Sequence, residues 1–372
     1  MSWKNVNLKI NEFIDNRLFN GAIIKITKDN EEIYFNNFGY ANIEEKKILK
    51  KDNIFALYSM SKPITVVACL LLMQRNLLTL EDPLNKYFPN FNSNIKIKHL
   101  LNMTSGLTYF WNNSDSGKQT KAAFDEVVEQ NITLKEFCEK ISLAPIISEP
   151  GKEWHYGVSL DILGGVIEKI TNEKFSKFLQ ENIFDPLEMN DTAFYIKDLN
   201  RKTPVYEFTK TIDGNKLAIN EDFHFLMPFS NEEPNACLGG SGLFSTANDY
   251  AKFLNFLIDG KIGEIQFLDF DLLEQMRTDH LINNKETFKW SFNKDYSYGY
   301  GVRVRLKNEL FPLTEIGEFG WDGALGSAGL VDIKNKITMT FLSSSYPGNN
   351  KIVQTELFDA VYKDLRGLKI IK

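Results

Sequence analysis

Ile54-Phe-Ala-Leu-Tyr-Ser-Met-Ser-Lys-Pro-Ile-Thr-Val-Val-Ala-Cys-Leu-Leu-Leu72 is the stretch that decides how this chain is read. Its apolar run begins after Pro63, and Ser59 and Lys62 stand three residues apart at the front edge. Proline has no amide hydrogen and is best tolerated in the first turn of a helix, which sets a helix start between Ser59 and Ser61. Residues three apart share a helical face, so the Ser59 hydroxyl and the Lys62 amine point the same way. Unpaired N–H groups and partial positive charge at a helix N-terminus bias an amine toward losing its proton and stabilise an alkoxide. A serine beside a base is the minimum needed for a covalent nucleophile. The same tetrapeptide also serves as a plain helix start with a serine cap and a solvated lysine, so the rest of the chain must separate the two readings.

At 372 residues the chain exceeds the size at which one hydrophobic core stops growing, which predicts two lobes. Hydrophobic residues are 43% and charged residues 25%, as in an ordinary soluble globular protein, and 29 Phe supply ample core material. A formal net charge of −6 argues against a nucleic-acid or anionic-membrane surface. The start, Met1 to Asp15, lacks the apolar core of a signal peptide, and the run from Val66 to Met73 is too short to span a membrane. Cys69, Cys138 and Cys237 are odd in number and widely spaced, which predicts reduced thiols. With Met1 as the native start, the expected location is the cytoplasm.

Helical spacing of Leu8, Ile10, Phe13, Ile14 and Leu18 predicts a helix over Val6–Phe19. Gly21–Thr27 and Glu32–Tyr40 flank a short polar turn and read as a β-hairpin. From Leu70 to about Phe225 the signals are helices and loops, with helices over Ile97–Met103, Leu134–Ile141, Asp161–Ile170 and Phe175–Ile183 and a cap at Thr79–Asp82. Gly239-Gly-Ser-Gly-Leu-Phe-Ser-Thr246 is a glycine-rich turn into a helix. It lacks a Gly-Lys-Ser/Thr ending and Rossmann spacing, so it reads as a packed turn and not a phosphate loop. Tyr298–Leu306, Glu315–Gly320, Ala328–Ile333 and Ile337–Ser343 are strand-rich, and Leu357–Leu365 closes the chain as a helix. Strands at both ends around a helical middle predict an α+β fold: residues 1–57 and 234–372 as one discontinuous sheet domain, and 58–233 as an inserted, mainly helical lobe.

Two further stretches carry chemistry. In Glu149-Pro-Gly-Lys-Glu-Trp-His-Tyr-Gly-Val-Ser159, Tyr156 is either a buried core tyrosine or a phenol that faces Lys62 and shares its proton transfer. In Gly317-Glu-Phe-Gly-Trp-Asp-Gly-Ala-Leu-Gly-Ser327, repeated glycines beside a strand permit close backbone approach, and such an edge can lend an amide N–H to an oxyanion. Tyr109-Phe-Trp111, entering a polar loop over residues 112–117, is an aromatic cluster that either roofs a pocket or packs in the core. Scattered histidines without metal-ligand spacing give no metal site; His155 and His99 read as structural or surface residues.

Together these residues resemble the serine β-lactamase and penicillin-binding protein superfamily, and within it the class C β-lactamases and the esterases that share their fold. Ser59-Met-Ser-Lys62 is similar to the family's Ser-x-x-Lys element. Tyr156 falls where the family has the tyrosine of Tyr-x-Asn, and Trp321-Asp-Gly323 where it has its Lys-Thr-Gly or His-x-Gly strand. Leu100–Leu107, Pro186-Leu-Glu-Met189 with Thr192, and Gly240–Thr246 are similar to its structural signatures, in the expected order. The resemblance implies a β-lactamase/transpeptidase-like antiparallel sheet flanked by helices. It also implies Ser59 as nucleophile, Lys62 and Tyr156 as the proton-transfer pair, and an oxyanion hole from the N–H groups of Ser59 and Ala324.

The departures are informative. Val158 replaces the asparagine that holds a substrate amide, and Trp321 stands where β-lactamases carry the lysine for the β-lactam carboxylate. Asp322 is an acid that would repel anionic substrates if it faced them. With Trp321, Asp322, Gly323 and Val158 as substrate contacts, the reading is a β-lactamase-like carboxylesterase acting on small neutral esters or amides, with no cofactor, nucleic acid or membrane. The alternatives are a β-lactamase or D-amino-acid peptidase, and a non-catalytic ligand-binding relative.

Overall fold

Helix α1 (Lys4–Asp15) leads into a hairpin of strands Gly21–Lys28 and Glu31–Asn42. Asp29 and Asn30 turn it with φ of 51° and 66°, left-handed values that short polar side chains tolerate and that suit strand twist. The computed structural model describes residues 2–372 except 112, 213, 222, 224, 225, 228, 283, 284, 290–294 and 310–312, and the side chain of Lys285.

The hairpin is part of an eight-stranded antiparallel sheet. Its order is Tyr296–Tyr298, Arg303–Arg305, Phe319–Gly320, Ala328–Asp332, Ile337–Ser343, Gly21–Lys28, Glu31–Asn42 and Lys47–Ile48. Chain start and chain end meet at its centre, where Ile24 lies opposite Phe341. Alternate side chains leave a strand on opposite faces. Ala22, Ile24 and Ile26 therefore join Met339 and Phe341 in a core under α1 and the closing helix Phe358–Gly367, while Ile23 and Leu342 join a larger core on the other face.

That larger core is built around α2 (Ser61–Gln74), of which twelve of fourteen residues are buried. At roughly 1.5–3 kcal/mol per buried large aliphatic side chain, Ile64, Val66, Val67, Leu70, Leu71 and Leu72 fix this helix firmly. Around it stand α3 (Ile97–Leu101), α4 (Asp115–Gln130), α5 (Leu134–Ile141), α6 (Ser159–Thr171), α7 (Phe175–Leu179) and α8 (Ala247–Asp259). The Thr133 side chain caps α5 with Glu136 returning the bond, and Thr246 caps α8 by accepting from Asp249 N at 3.2 Å. Among the described residues no helix is long and apolar enough to cross a membrane.

Four local readings change. The stretch read as helices and loops contains a hairpin, Tyr206–Thr211 paired with Gly214–Ile219, whose strand Tyr206–Thr211 also pairs in parallel with Ser345–Tyr346. Tyr298–Leu306 is not one strand: Gly301, at φ 68°, helps reverse the chain so that Ser297 lies opposite Val304. Asp115–Gly117, part of what the sequence suggests is a polar loop, instead open α4, because Ser114 accepts from Gly117 N at 3.0 Å and caps it. Thr79–Asp82 caps no helix; the Asp82 carboxylate takes the Thr79 N–H and the Tyr87 hydroxyl, and only the single turn Leu84–Lys86 follows.

Candidate active site

The short strand Phe55–Ala56, paired with Phe244–Ser245, passes into a tight turn over Tyr58–Met60 and then into α2. Tyr58 makes this abrupt change at φ 47°, a conformation that costs a non-glycine residue about 1–3 kcal/mol and needs the surrounding core to enforce it. Ser59, half-buried, therefore stands at the mouth of a helix whose body is sealed.

The Lys62 side chain is fully buried and its amine is held at three points. Nζ lies 3.1 Å from Ser59 Oγ, 3.1 Å from the Tyr109 hydroxyl and 2.7 Å from the Gly240 carbonyl oxygen. It also sits 4.7 Å from the centroid of the Tyr156 ring, a cation–π distance. The Tyr156 hydroxyl donates to Ser59 Oγ at 2.6 Å and accepts from the Trp321 indole N–H at 3.2 Å. Ser59 and Lys62, three residues apart, and Tyr156, 97 residues from the serine, thus share one hydrogen-bonded centre.

Behind Lys62 is a layer that sequence reasoning missed. Asp161, in the first turn of α6, accepts from the Tyr109 hydroxyl at 3.1 Å and from Gly240 N at 2.7 Å. One carboxylate therefore grips both of the groups, other than Ser59, that hold the lysine amine. Gly240 is required here: a Cβ on it would lie 2.5 Å from Asp161 Oδ2. Burial pushes the Asp161 carboxyl up to about 6, against the opposing pull of Lys62, the Gly240 N–H and Tyr109. Burial first, and then the Asp161 charge, push the Tyr109 phenol well above its ordinary range, so it stays a donor. The signal was an acid inside the apolar run Val158–Ile167, since a charge on a buried stripe needs partners.

The glycine-lined edge lies against the nucleophile's turn. A Cβ on Gly323 would come within 2.6 Å of the Leu57 carbonyl oxygen, so only glycine lets this edge approach the residues ahead of Ser59. Ala324 follows, half-buried. Ser59 lies in a first helical turn, where N–H groups have no intrahelical partner.

The other expected substrate contacts are arranged differently. Asp322 does not face a substrate: Oδ1 accepts from Arg303 at 2.9 Å, Oδ2 accepts from Gln354, and the residue is 3% exposed. Its charge is compensated inside the protein, which removes the ground for expecting it to repel anions. Val158 is fully buried at the head of α6, where its carbonyl accepts from Asp161 N and Ile162 N. Trp321 is fully buried as well, and its link to the site runs through the Tyr156 hydroxyl. No group of three or more His, Cys, Asp or Glu side chains suited to a metal occurs among the described residues.

The Beta-lactamase family profile matches residues 6–361. Esterase EstB of Burkholderia gladioli is 26% identical over 364 residues, covering 92% of this chain and 90% of its own. Among solved structures, EstCE1, described as a hydrolase with promiscuous acyltransferase activity, superposes with a TM-score of 0.83 at 23% identity, over 96% of this chain and 98% of its own. The D-amino acid amidase of Ochrobactrum anthropi SV3 superposes with a TM-score of 0.74 at 18% identity, over 98% and 99% of the two chains. With the family profile spanning nearly its whole length, this chain belongs to the Beta-lactamase family.

Proposed function

We propose that this protein is a serine hydrolase that works through an acyl-enzyme at Ser59, and that its substrates are small esters. The observation that carries the reading is the Ser59 hydroxyl within hydrogen-bond reach of both Lys62, at 3.1 Å, and Tyr156, at 2.6 Å. Ser59 Oγ attacks the ester carbonyl as its proton passes to the Lys62–Tyr156 pair. The N–H groups of Ser59 and Ala324 take the negative oxygen of the tetrahedral intermediate. The carbonyl–alkoxy bond then breaks and the departing oxygen takes its proton from the pair. Water repeats the sequence on the acyl-Ser59 ester and regenerates the free hydroxyl. Every proton has a named carrier, and the scheme calls on no metal or organic cofactor.

Ester is favoured over β-lactam by what surrounds the trio. The indole at 321 offers no cation for a β-lactam carboxylate, and Val158 offers no amide. Esterase EstB, a relative aligned over 92% of the chain, carries that activity in its name. The unpaired thiols Cys69, Cys138 and Cys237, all buried, support a cytoplasmic location.

The test compares a short p-nitrophenyl ester with a chromogenic cephalosporin on the same preparation. The ester is expected to turn over, with the Ser59→Ala variant inactive on it. Turnover of the cephalosporin alone would make the protein a β-lactamase, and turnover of neither would favour a ligand-binding relative.

A further inference from the structure

A cleft of about 570 Å³ opens against Tyr156, the residue whose hydroxyl touches Ser59. Trp111, Trp154, Tyr156 and Thr108 line it, together with the exposed acids Glu153 and Glu286. Three of its rings are nearly parallel: Trp111 lies within 13° of the Tyr156 plane and Trp154 within 21°. Core packing accounts for Trp154, which is 6% exposed, but not for Trp111, which keeps 52% of its surface open with its ring 6.3 Å from that of Tyr156. The far wall is tied down by the Trp154 backbone N–H, which donates to Thr287 Oγ1 at 2.9 Å.

We propose that this cleft receives the alcohol half of the ester, and that this half carries a planar aromatic group. The proposal rests on the ester-hydrolase reading and adds the substrate class to it. A departing alkoxy oxygen must be protonated by a group in contact with Ser59 Oγ. Lys62 is fully buried, with its amine held by Ser59, Tyr109 and Gly240, whereas Tyr156 borders the cleft. The oxygen therefore departs at the Tyr156 hydroxyl, and its substituent extends over the Tyr156 ring toward Trp111. Aromatic side chains reward a flat, polarisable group there by offset or edge contacts. Among the described residues that line the cleft, the acids Glu153 and Glu286 outnumber Lys289, which favours a neutral or cationic group over an anionic one.

The test places one ring on either side of the ester bond. Benzyl acetate carries it in the alcohol half and ethyl benzoate in the acyl half, with ethyl acetate as reference. Trp111→Ala is expected to lower kcat/KM for benzyl acetate relative to ethyl acetate about tenfold, to leave the ethyl benzoate to ethyl acetate ratio within about twofold, and Trp111→Phe to recover most of the loss. In parallel, calorimetry on the Ser59→Ala protein should show benzyl alcohol binding that a second change, Trp111→Ala, weakens. A benzyl acetate ratio unmoved by Trp111→Ala, or a loss confined to ethyl benzoate, overturns the proposal. Benzyl alcohol binding that depends on Trp111, in a protein that hydrolyses none of the esters, supports the cleft and refutes the hydrolase reading. Hydrolysis that ignores Trp111 does the reverse.

Discussion

Lys62 and Arg303 are both cations with no exposed surface, and they are held in different ways. Arg303 meets a carboxylate directly: Nη1 lies 2.9 Å from Asp322 Oδ1, and Nη2 donates to the Gly329 carbonyl at 3.0 Å. Lys62 meets only neutral groups, the hydroxyls of Ser59 and Tyr109 and the carbonyl of Gly240, with Asp161 one hydrogen bond further away. A direct ion pair in a dry interior fixes the charge on both partners. The Lys62 amine is instead placed against the Ser59 hydroxyl by a phenol and a carbonyl. Distance to the nearest carboxylate, and not depth of burial, separates the lysine that stands against the candidate nucleophile from the arginine that braces the sheet.

The sharpest way to break that contrast is to remove each cation in turn. Replacing Lys62 with methionine, which has similar length and no charge, should lower kcat/KM on a short ester by about a thousand- to ten-thousandfold. Melting temperature should fall modestly, because the buried Asp161 carboxylate loses the opposing pull of Lys62 and the Gly240 carbonyl loses a donor, although neither stood in a direct ion pair. Arg303→Met strands the Asp322 carboxylate and should instead cost about 3–5 kcal/mol of stability in chemical denaturation, with the folded fraction retaining its rate within a few-fold. If the Lys62 variant proves the unstable one and the Arg303 variant the inactive one, the contrast is reversed.

The layer between the two extremes gives a smaller effect. Asp161 is a positioning residue: it orients Tyr109 and Gly240, which in turn hold Lys62. With its carboxyl pushed up to about 6 by burial, it is an acceptor above that pH and takes up a proton below it. The ester rate should therefore fall as pH drops through about 6. Asp161→Asn can no longer accept from both donors and cannot titrate. It should lower the rate above pH 6 by about tenfold and flatten the acidic limb. A profile with the limb intact in this variant would assign the limb to another group.

How much of this was legible in the chain follows from the range of each contact. Ser59 and Lys62 lie three apart, so helical geometry alone puts them on one face, and Pro63 marks where the helix starts. The two-residue turn at Asp29 and Asn30 is likewise local, and the hairpin around it was readable. The Asp161 clamp reaches Tyr109 across 52 residues and Gly240 across 79, and nothing in local spacing reports such a meeting. Asp322 was misplaced for the same reason: its partner Arg303 is 19 residues away on a neighbouring strand, and only strand register shows that the acid is turned inward. The hairpin at Tyr206–Ile219 was overlooked although Asp213-Gly214 between two β-rich runs is a hairpin signal.

The measurement closest to the central claim is intact-protein and peptide mass spectrometry after reaction with a fluorophosphonate. The account requires a single adduct on Ser59, absent from Ser59→Ala and formed far more slowly in Lys62→Met and Tyr156→Phe. Labelling that proceeds at the same rate without Lys62 and Tyr156, or that lands on another residue while Ser59 stays unmodified, would contradict it.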